Sequence, residues 1–438
     1  MEINEHALQP NPRNVNTDSP SDEIYLSIKI ENGQIGGNRV TCNNEQLVKG
    51  NLTEPTFIGK YNSLSGKEIE VKTNVLGVNS FTNRCVISTT FINQDNKILY
   101  SKMDNGDAPE NGVASFTGKY MLHFTLLLLL FFSPFISLKL LAQSNVNEIE
   151  MSHLETPSSP GLILFDEAPS SIEKLTTPQG LGLSVLGLGQ NGGALEFAPF
   201  WLKDHPELNA KTLYMDKSPI LSHLSISIAS INSEDQNYFA GGIRTRLFQT
   251  YGQQETLLDD LITQIEDALS DGDFDQVAIL GKAYTNTLEK PVFNIDLAAA
   301  IGISSLSNSF EDLTLNRWAV WTSFNWRPHG DDFYFTLLAR YLYHDINSEG
   351  MNEVDYLDSG IRLNYDISKF TLSLEWIQRS NFTQDSFNGY RVAAVGSYKL
   401  TDNFFLTTTV VKNFSEVNNI IALAGLNFGF SRKNIRAF

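Results

Sequence analysis

Disulfides, a basic surface and repeated long apolar runs are all missing from most of this chain. The 438 residues contain two cysteines, Cys42 and Cys85. Both precede residue 86, so the downstream half holds no disulfide, and with no export signal ahead of them the pair is expected as free thiols. Basic residues are also scarce: 32 Lys and Arg stand against 50 Asp and Glu, a net charge of −18. Residues 1–142 hold 12 basic and 14 acidic residues, net −2, whereas residues 143–438 hold 20 and 36, net −16. A downstream half this acidic argues against nucleic acid as a partner, because phosphate binding needs a basic footprint. No Cys/His cluster suggests zinc, and no Gly-rich loop opens a helix as a nucleotide site requires. No cofactor and no metal are therefore expected.

One apolar run is present, from Leu122 to Ile136, densest at Leu126 to Phe132. Lys119 ahead of it and the sequence Lys139, Leu140, Leu141, Ala142, Gln143 behind it have the layout of an export signal, residues 121–142, with a small residue before the cut. It sits in mid-chain. Either translation begins at Met121 and residues 1–120 are a mispredicted or fused extension, or the run is an internal membrane anchor. A buried core helix is disfavoured, since about fifteen residues pass without a polar face. The absence of a Cys after the run argues against a lipoprotein. No other stretch is long enough for a transmembrane helix, so a downstream membrane protein has to be a barrel.

From about Gly180 onward the chain breaks into ten-residue segments with period-two alternation, separated by turn residues. In one, Phe293, Ile295, Leu297, Ala299, Ile301 and Ile303 alternate with Asn294, Asp296, Ala298, Ala300 and Gly302. The segments Phe333–His344 and Phe370–Arg379 repeat the division. Strands are predicted near 181–189, 193–202, 220–231, 236–248, 291–303, 316–327, 332–346, 356–366, 369–380, 388–400, 403–414 and 419–431, an even number as single-chain bacterial barrels require. Trp201, Trp318, Trp326, Tyr341, Tyr343, Tyr365, Trp376, Tyr390, Tyr398, Phe428 and Phe430 fall towards strand ends, where interfacial girdles sit. The fold class is thus all-β: a transmembrane antiparallel β-barrel of about twelve strands over residues 180–431, behind a pre-barrel segment 143–179 and ahead of a tail 432–438. Short turns at 367–368 and 401–402 are expected on the periplasmic side, with the loops 304–315, 347–355 and 381–387 outward. One connection, 252–290, is long and carries an amphipathic helix with Leu257, Leu258, Leu261, Ile262, Ile265 and Leu269 as its stripe. It is expected as a rim helix, with a lumen plug or a partner-binding surface as alternatives.

These residues resemble bacterial outer-membrane β-barrel proteins. The signal ending at Leu140, Leu141, Ala142 and Gln143, the hairpin from Gly396 through Tyr398, Thr401 and Asp402 to Leu406, and the aromatic strand Gly425 to Phe430 carry the resemblance. It covers residues 121–438 and implies an outer-membrane location, with membrane lipid and the barrel assembly machinery as partners. The tail Ser431 to Phe438 departs from the pattern, since such barrels end on their last strand.

By alternation, Glu196, Arg244, Arg246, Asp296, Arg317, Arg340, Arg362, Asp366, Glu375, Arg379 and Arg391 point into the barrel. Such charges line a lumen that selects small solutes, or pair across a narrow interior and fill it, because buried charges need partners. The first reading is a porin-like protein; the second is a non-conducting structural or docking barrel. A third, a lipid hydrolase, comes from resemblance to outer-membrane phospholipases, whose His-x-Ser pair and Asn on the next strand are matched by His223, Ser225 and Asn237. The residues that follow the family's pair are missing here, where Ile226 and Ser227 stand. With a turn at Asn232 to Asp235, His223 and Asn237 are separated by about seven residues, on the order of 25 Å. No enzyme is therefore expected. Asp271, Asp273 and Asp275 open like a calcium loop, but Gln276 and Lys282 occupy positions that need Gly and a carboxylate.

Upstream, residues 1–22 are rich in Asn, Pro and Ser and are expected to be disordered. Short β-like runs at Ile24–Ile30, Ile69–Val75, Arg84–Ile92 and Lys97–Lys102 predict a small β-sandwich over residues 23–120. The strand Ile69–Val75 behind Gly66, the hairpin Phe91 to Tyr100 around Asp95 and Asn96, and the closing Gly118, Lys119 and Tyr120 resemble the carbohydrate-binding sandwich that ends the ATPase subunit of polysaccharide exporters. With no signal ahead of it, this half is expected in the cytoplasm or as an extension foreign to the barrel.

Overall fold

Alternating β-branched, aromatic and small residues build three sheets in the computed structural model, which describes residues 3–7, 12–17, 22–109, 111–124, 164, 172–175, 193–232, 237–305, 313–328, 333–344, 354–367, 370–382, 389–401, 404–412 and 420–428. Contacts divide the chain into two units. One takes residues 1–142 with Lys203–Asp216 and Gln253–Glu289, and the other takes the remainder.

The first unit holds β1 (Ile3–Ala7), β2 (Arg13–Thr17), β3 (Glu23–Glu31), β4 (Ile35–Cys42), β5 (Glu45–Gly50), β6 (Thr56–Lys60), β7 (Glu68–Leu76), β8 (Arg84–Asn93), β9 (Ile98–Asp107) and β10 (Val113–Phe124). They form one sheet in the order β1-β10-β7-β4-β5, with β2 also on β10, and a second in the order β6-β3-β8-β9. Ile24, Leu26 and Ile28 of β3, Val71 of β7, Phe91 of β8 and Phe116 of β10 belong to one buried core. Two sheets thus share one core, and two features depart from the sequence expectation. Within residues 1–22, expected to be disordered, Ile3–Ala7 and Arg13–Thr17 are strands: β1 and β2 pair in parallel with β10. The reason is Arg13, whose Nη1 donates to Asp104 at 2.7 Å in a buried pair, beside Val15 in the core. The apolar run also starts as strand, because Met121–Phe124 complete β10 and Met121 stands opposite Glu68 and Asn14. The rest of that run lies outside the described residues, and no helix among them is long and apolar enough to cross a membrane. Cys42 and Cys85 are free and buried, and burial pushes the Cys85 thiol up to about 12. At the hairpin between β8 and β9, Asn96 takes a positive φ of 60° while Asn93 Oδ1 accepts from the backbone of Asp95 and Lys97.

The insertion at 252–290 contains two helices: α1 (Gln254–Asp271) and a second that the sequence reading missed, α2 (Phe274–Leu288). Asp271, Asp273 and Asp275 have helix-end duties: Gly272 closes α1 in the left-handed region and Asp273 caps α2 by accepting from Gln276 N. Of the expected stripe, Leu258, Leu261, Ile265 and Leu269 are buried and Leu257 is exposed. The helix belongs to the sandwich unit, where it packs on β4, because Gly37 offers no side chain: a Cβ there would collide with Glu266 O and Ser270. Polar contacts close the joint. Asn74 Nδ2 donates to Leu269 O at 2.7 Å, Arg39 Nη2 to Asp271 O at 2.9 Å, and Lys49 Nζ pairs with Asp271 at 2.5 Å. Donors and cations at a helix C-terminus satisfy its last carbonyls and oppose its dipole.

Two carboxyls make this unit pH-sensitive. Burial pushes Glu31 and Glu266 each up to about 7; Glu207 and Asp204 add repulsion at Glu31, and Asn51 opposes the shift at Glu266 by hydrogen bonding. A carboxyl raised in the folded state holds a proton that the unfolded chain releases, so its stabilisation is complete below about pH 4.5 and is lost as pH rises through 7. The melting temperature of this unit in the full chain is expected to fall between pH 5 and pH 8. Glu31→Gln together with Glu266→Gln is expected to remove most of that fall, by on the order of 5 °C; an unchanged pH slope would refute the assignment.

The second unit is a twelve-stranded meander: β11 (Ile172–Leu175), β12 (Gly193–Phe197), β13 (Ser225–Asn232), β14 (Asn237–Thr250), β15 (Phe293–Ser305), β16 (Thr314–Trp326), β17 (Phe333–His344), β18 (Val354–Ile367), β19 (Phe370–Asn381), β20 (Gly389–Thr401), β21 (Phe404–Lys412) and β22 (Ile420–Phe428). Each pairs with its neighbours in chain order, antiparallel from β12 onward. Eleven predicted strands have counterparts, with ends moved by a few residues. The exceptions are at the start: β11 pairs in parallel with β12, and the strand expected at 181–189 lies outside the described residues. Segment 193–202 is strand only to Phe197, then a 3-10 turn. No pairing joins β11 to β22 among the described residues, so the sheet is described as open at that seam.

Candidate functional site

Period two in each strand separates two faces of this sheet whose polarity is inverted relative to a water-soluble protein. One face exposes Ile301, Val320, Phe324, Leu337, Ile361, Leu372, Leu374, Trp376 and Val392. The other buries Asn294, Ser323, Asn325, Thr336, Arg340, Asp358, Arg362, Asn364, Glu375 and Arg391.

Aromatic residues gather at both ends of the exposed face. At one end Trp318 lies 5.1 Å from Tyr341 and 6.1 Å from Tyr343, ring centre to ring centre. At the other, Trp326 meets Phe335 at 5.6 Å, and Phe333 meets Phe335 at 4.8 Å and Tyr365 at 6.4 Å. The eight residues from Trp318 to Trp326 at roughly 3.3 Å each put the clusters about 26 Å apart along the strand. Trp201 is not part of either band: it is buried, and its Nε1 donates to Ser222 O at 2.8 Å. The side chains of Tyr398 and Phe428, and all of Phe430, lie outside the described residues.

On the buried face the predicted charges come together in groups. Arg244 Nε donates to Glu196 at 2.8 Å, and Arg246 Nε to Asp296 at 2.8 Å. Asp296 also accepts from Asn294 at 2.6 Å, while Thr336 donates to Asn325 at 2.7 Å in the next row. A bulge between Arg246 and Phe248 keeps this row polar, because it turns Gln249, and not Phe248, towards Asn294. Arg340 and Arg379 share Asp358, with Nε–Oδ distances of 2.9 and 2.8 Å. Arg362 and Arg391 both stand 3.6 Å from Glu375. Arg317 Nη1 donates to Leu164 O at 3.3 Å, and Leu164 belongs to an apolar cluster with Ala298, Ala300, Ala319, Trp321, Leu338 and Ile377. Asp366 lies in β18 opposite Thr371, its side chain outside the described residues.

Sequence reasoning missed Asp358, the carboxylate at the centre of the tightest group. Its parity with Arg362 in the same strand was the available signal. Arg327 was missed too; it lies just past the end of β16 and stacks over the Tyr334 ring at 4.3 Å.

The hydrolase constellation does not assemble. Ser225 begins β13 opposite Arg244, whereas Asn237 stands opposite Asn232 at the far end of the same pairing. His223 Nδ1 lies 3.3 Å from Ser222 Oγ. Among the described residues no His, Cys, Asp and Glu cluster is arranged to hold a metal ion.

No known family matches the chain, and no curated protein does. Among solved structures it is similar to an anion-selective porin from Comamonas acidovorans, at 8% identity over 92% of this chain and 95% of that one, TM-score 0.29. It is also similar to the outer membrane channel DcaP of Acinetobacter baumannii, at 7% identity over 92% and 96%, TM-score 0.28. A third is OccK11 (OpdR) of Pseudomonas aeruginosa, at 7% identity over 94% and 98%, TM-score 0.29. At such TM-scores the likeness carries no argument about fold or function, so the functional reading rests on the two faces of the sheet.

Proposed function

We propose that the downstream half is a porin-like barrel of the bacterial outer membrane, passing small solutes through a charged interior. The observation that carries this reading is the inverted sheet: an exposed apolar face with aromatic clusters about 26 Å apart along the strand, which at the ~35–45° tilt of barrel strands is roughly 20 Å along the membrane normal, close to the ~25 Å of an outward hydrocarbon band between two girdles. In water such a face would be an aggregation surface far larger than monomers tolerate. In lipid, closure of the sheet is required because no water is present to satisfy an edge; the outer-membrane lipid and the barrel assembly machinery are the partners of this reading.

A second reading, a filled and non-conducting barrel, is favoured by the burial of Arg340, Asp358, Arg362, Glu375 and Arg391 and by the side chain of Trp321, only 1% exposed, on the same face. Planar bilayers separate the two. The full chain, purified in folded form, is expected to give discrete conductance steps, and Trp321→Ala is expected to enlarge them by removing the largest fully buried side chain. Folded protein that never conducts, in parent and variant alike, would leave the filled barrel.

A further inference from the structure

The downstream half is strongly acidic, yet the buried face of its sheet is not. Across β17 to β20, the described side chains of this face include four arginines, Arg340, Arg362, Arg379 and Arg391, against two carboxylates, Asp358 and Glu375. Composition alone predicts the opposite sign, with residues 143–438 at net −16.

The two carboxylates lie at different distances from their arginines. Asp358 is 0% exposed and held by close hydrogen bonds from Arg340 and Arg379, a saturated arrangement. Glu375 is flanked by Arg362 and Arg391 at 3.6 Å each, beyond the usual reach of an N–H···O bond. In the next row Asn364 stands opposite Ser373. Asn364 is 0% exposed and Ser373 is 2% exposed, and neither the Asn364 amide nor the Ser373 hydroxyl has a hydrogen-bond partner among the described residues; the same holds for Nη1 of Arg391, which is 8% exposed. Buried polar groups without partners are rare and costly, so their gathering on either side of the Arg362–Glu375 row calls for a ligand.

We propose that Arg362, Arg391, Asn364 and Ser373 form an oxyanion-binding locus inside the barrel, and that the solutes it passes are small anions bearing carboxylate- or phosphate-like oxygens. Guanidinium forks match such oxygens in pairs, and an amide N–H and a hydroxyl add neutral donors beside them. The excess of positive charge among the described side chains of this face raises the local concentration of anions. The solute class rests on the channel reading above; the binding locus does not.

Reversal potentials of the full chain in a KCl gradient test the solute class. Anion preference is expected in the parent, a shift of several-fold towards cations in Arg362→Gln with Arg391→Gln, and a stronger anion preference in Glu375→Gln, which keeps both arginines. Conduction that prefers cations, or a ratio unmoved by folded variants, overturns it. Inorganic phosphate titrated into the folded, detergent-solubilised protein tests the locus directly by calorimetry. Binding is expected in the parent and at least tenfold weaker in Asn364→Leu with Ser373→Ala, a pair without a charge change. Absence of phosphate binding overturns the locus whether or not the barrel conducts; binding without conductance upholds it and removes only the channel.

Discussion

Asp358→Asn is expected to prevent the sheet from reaching its folded state, or to leave it far less stable than the parent. The carboxylate is wholly buried and is the counter-ion shared by two guanidiniums, Arg340 and Arg379. Removing one partner of a buried charge group leaves the others uncompensated, at a cost of roughly 3–5 kcal/mol. Two arginines would then face each other across β17 and β19 with one amide between them. The control is the apolar triple replacement Arg340→Met, Asp358→Leu, Arg379→Met, which removes all three charges at similar volume and is expected to fold, since such substitutions are often neutral or stabilising. Folding is read from the resistance of the unboiled protein to unfolding in detergent gels and from denaturant titration in lipid. A single variant as stable as the parent would show that Asp358 is not the neutralising group.

The second large effect is expected on the opposite face. Leu374 is 49% exposed near the middle of β19, with Leu372 and Trp376 exposed on either side. Leu374→Arg is expected to destabilise the protein folded in lipid by about 2–4 kcal/mol, the cost of an arginine near the bilayer midplane on a lipid-facing position. On a water-facing strand the same change lies within about 0.5 kcal/mol. Tyr390→Arg, at the start of β20 and thus nearer an interface, is expected to cost about 0–1 kcal/mol. Equal and small effects at both positions in lipid vesicles would remove the membrane reading. A steep difference between them would place the apolar face in hydrocarbon.

Much of the downstream sheet is legible in the sequence because alternation is local. The segment beginning at Phe293 declares its two faces with no knowledge of its neighbours, and the same holds for those at Phe333 and Phe370. Where the strand is regular, exposed apolar and buried polar positions therefore follow the alternation. The rule weakens at bulges: the register shift between Gly302 and Ile303 sets Arg317 opposite Gly302 and Ile303 opposite Leu315. The Asp358 group was not legible as a group, since its members come from three strands and meet only through the pairings Arg340–Asp358 and Asp358–Arg379. Nor was the seat of the helical insertion. Its stripe announced that α1 needs a cover, but not that the cover is β4, brought within reach by Gly37.

The sequence by itself determined the number and period of most of these strands, the acidity of the downstream half and the arginine-bearing face. Each follows from side-chain chemistry repeated at short range. Only the tertiary structure decided which carboxylate serves which arginine, that Arg13 ties the first residues into the sandwich, that β11 lies beside β12, and that Met121 to Phe124 continue a strand. Those outcomes depend on register between segments far apart in the chain. A single residue's slip would exchange every partner while leaving the local pattern of each strand unchanged.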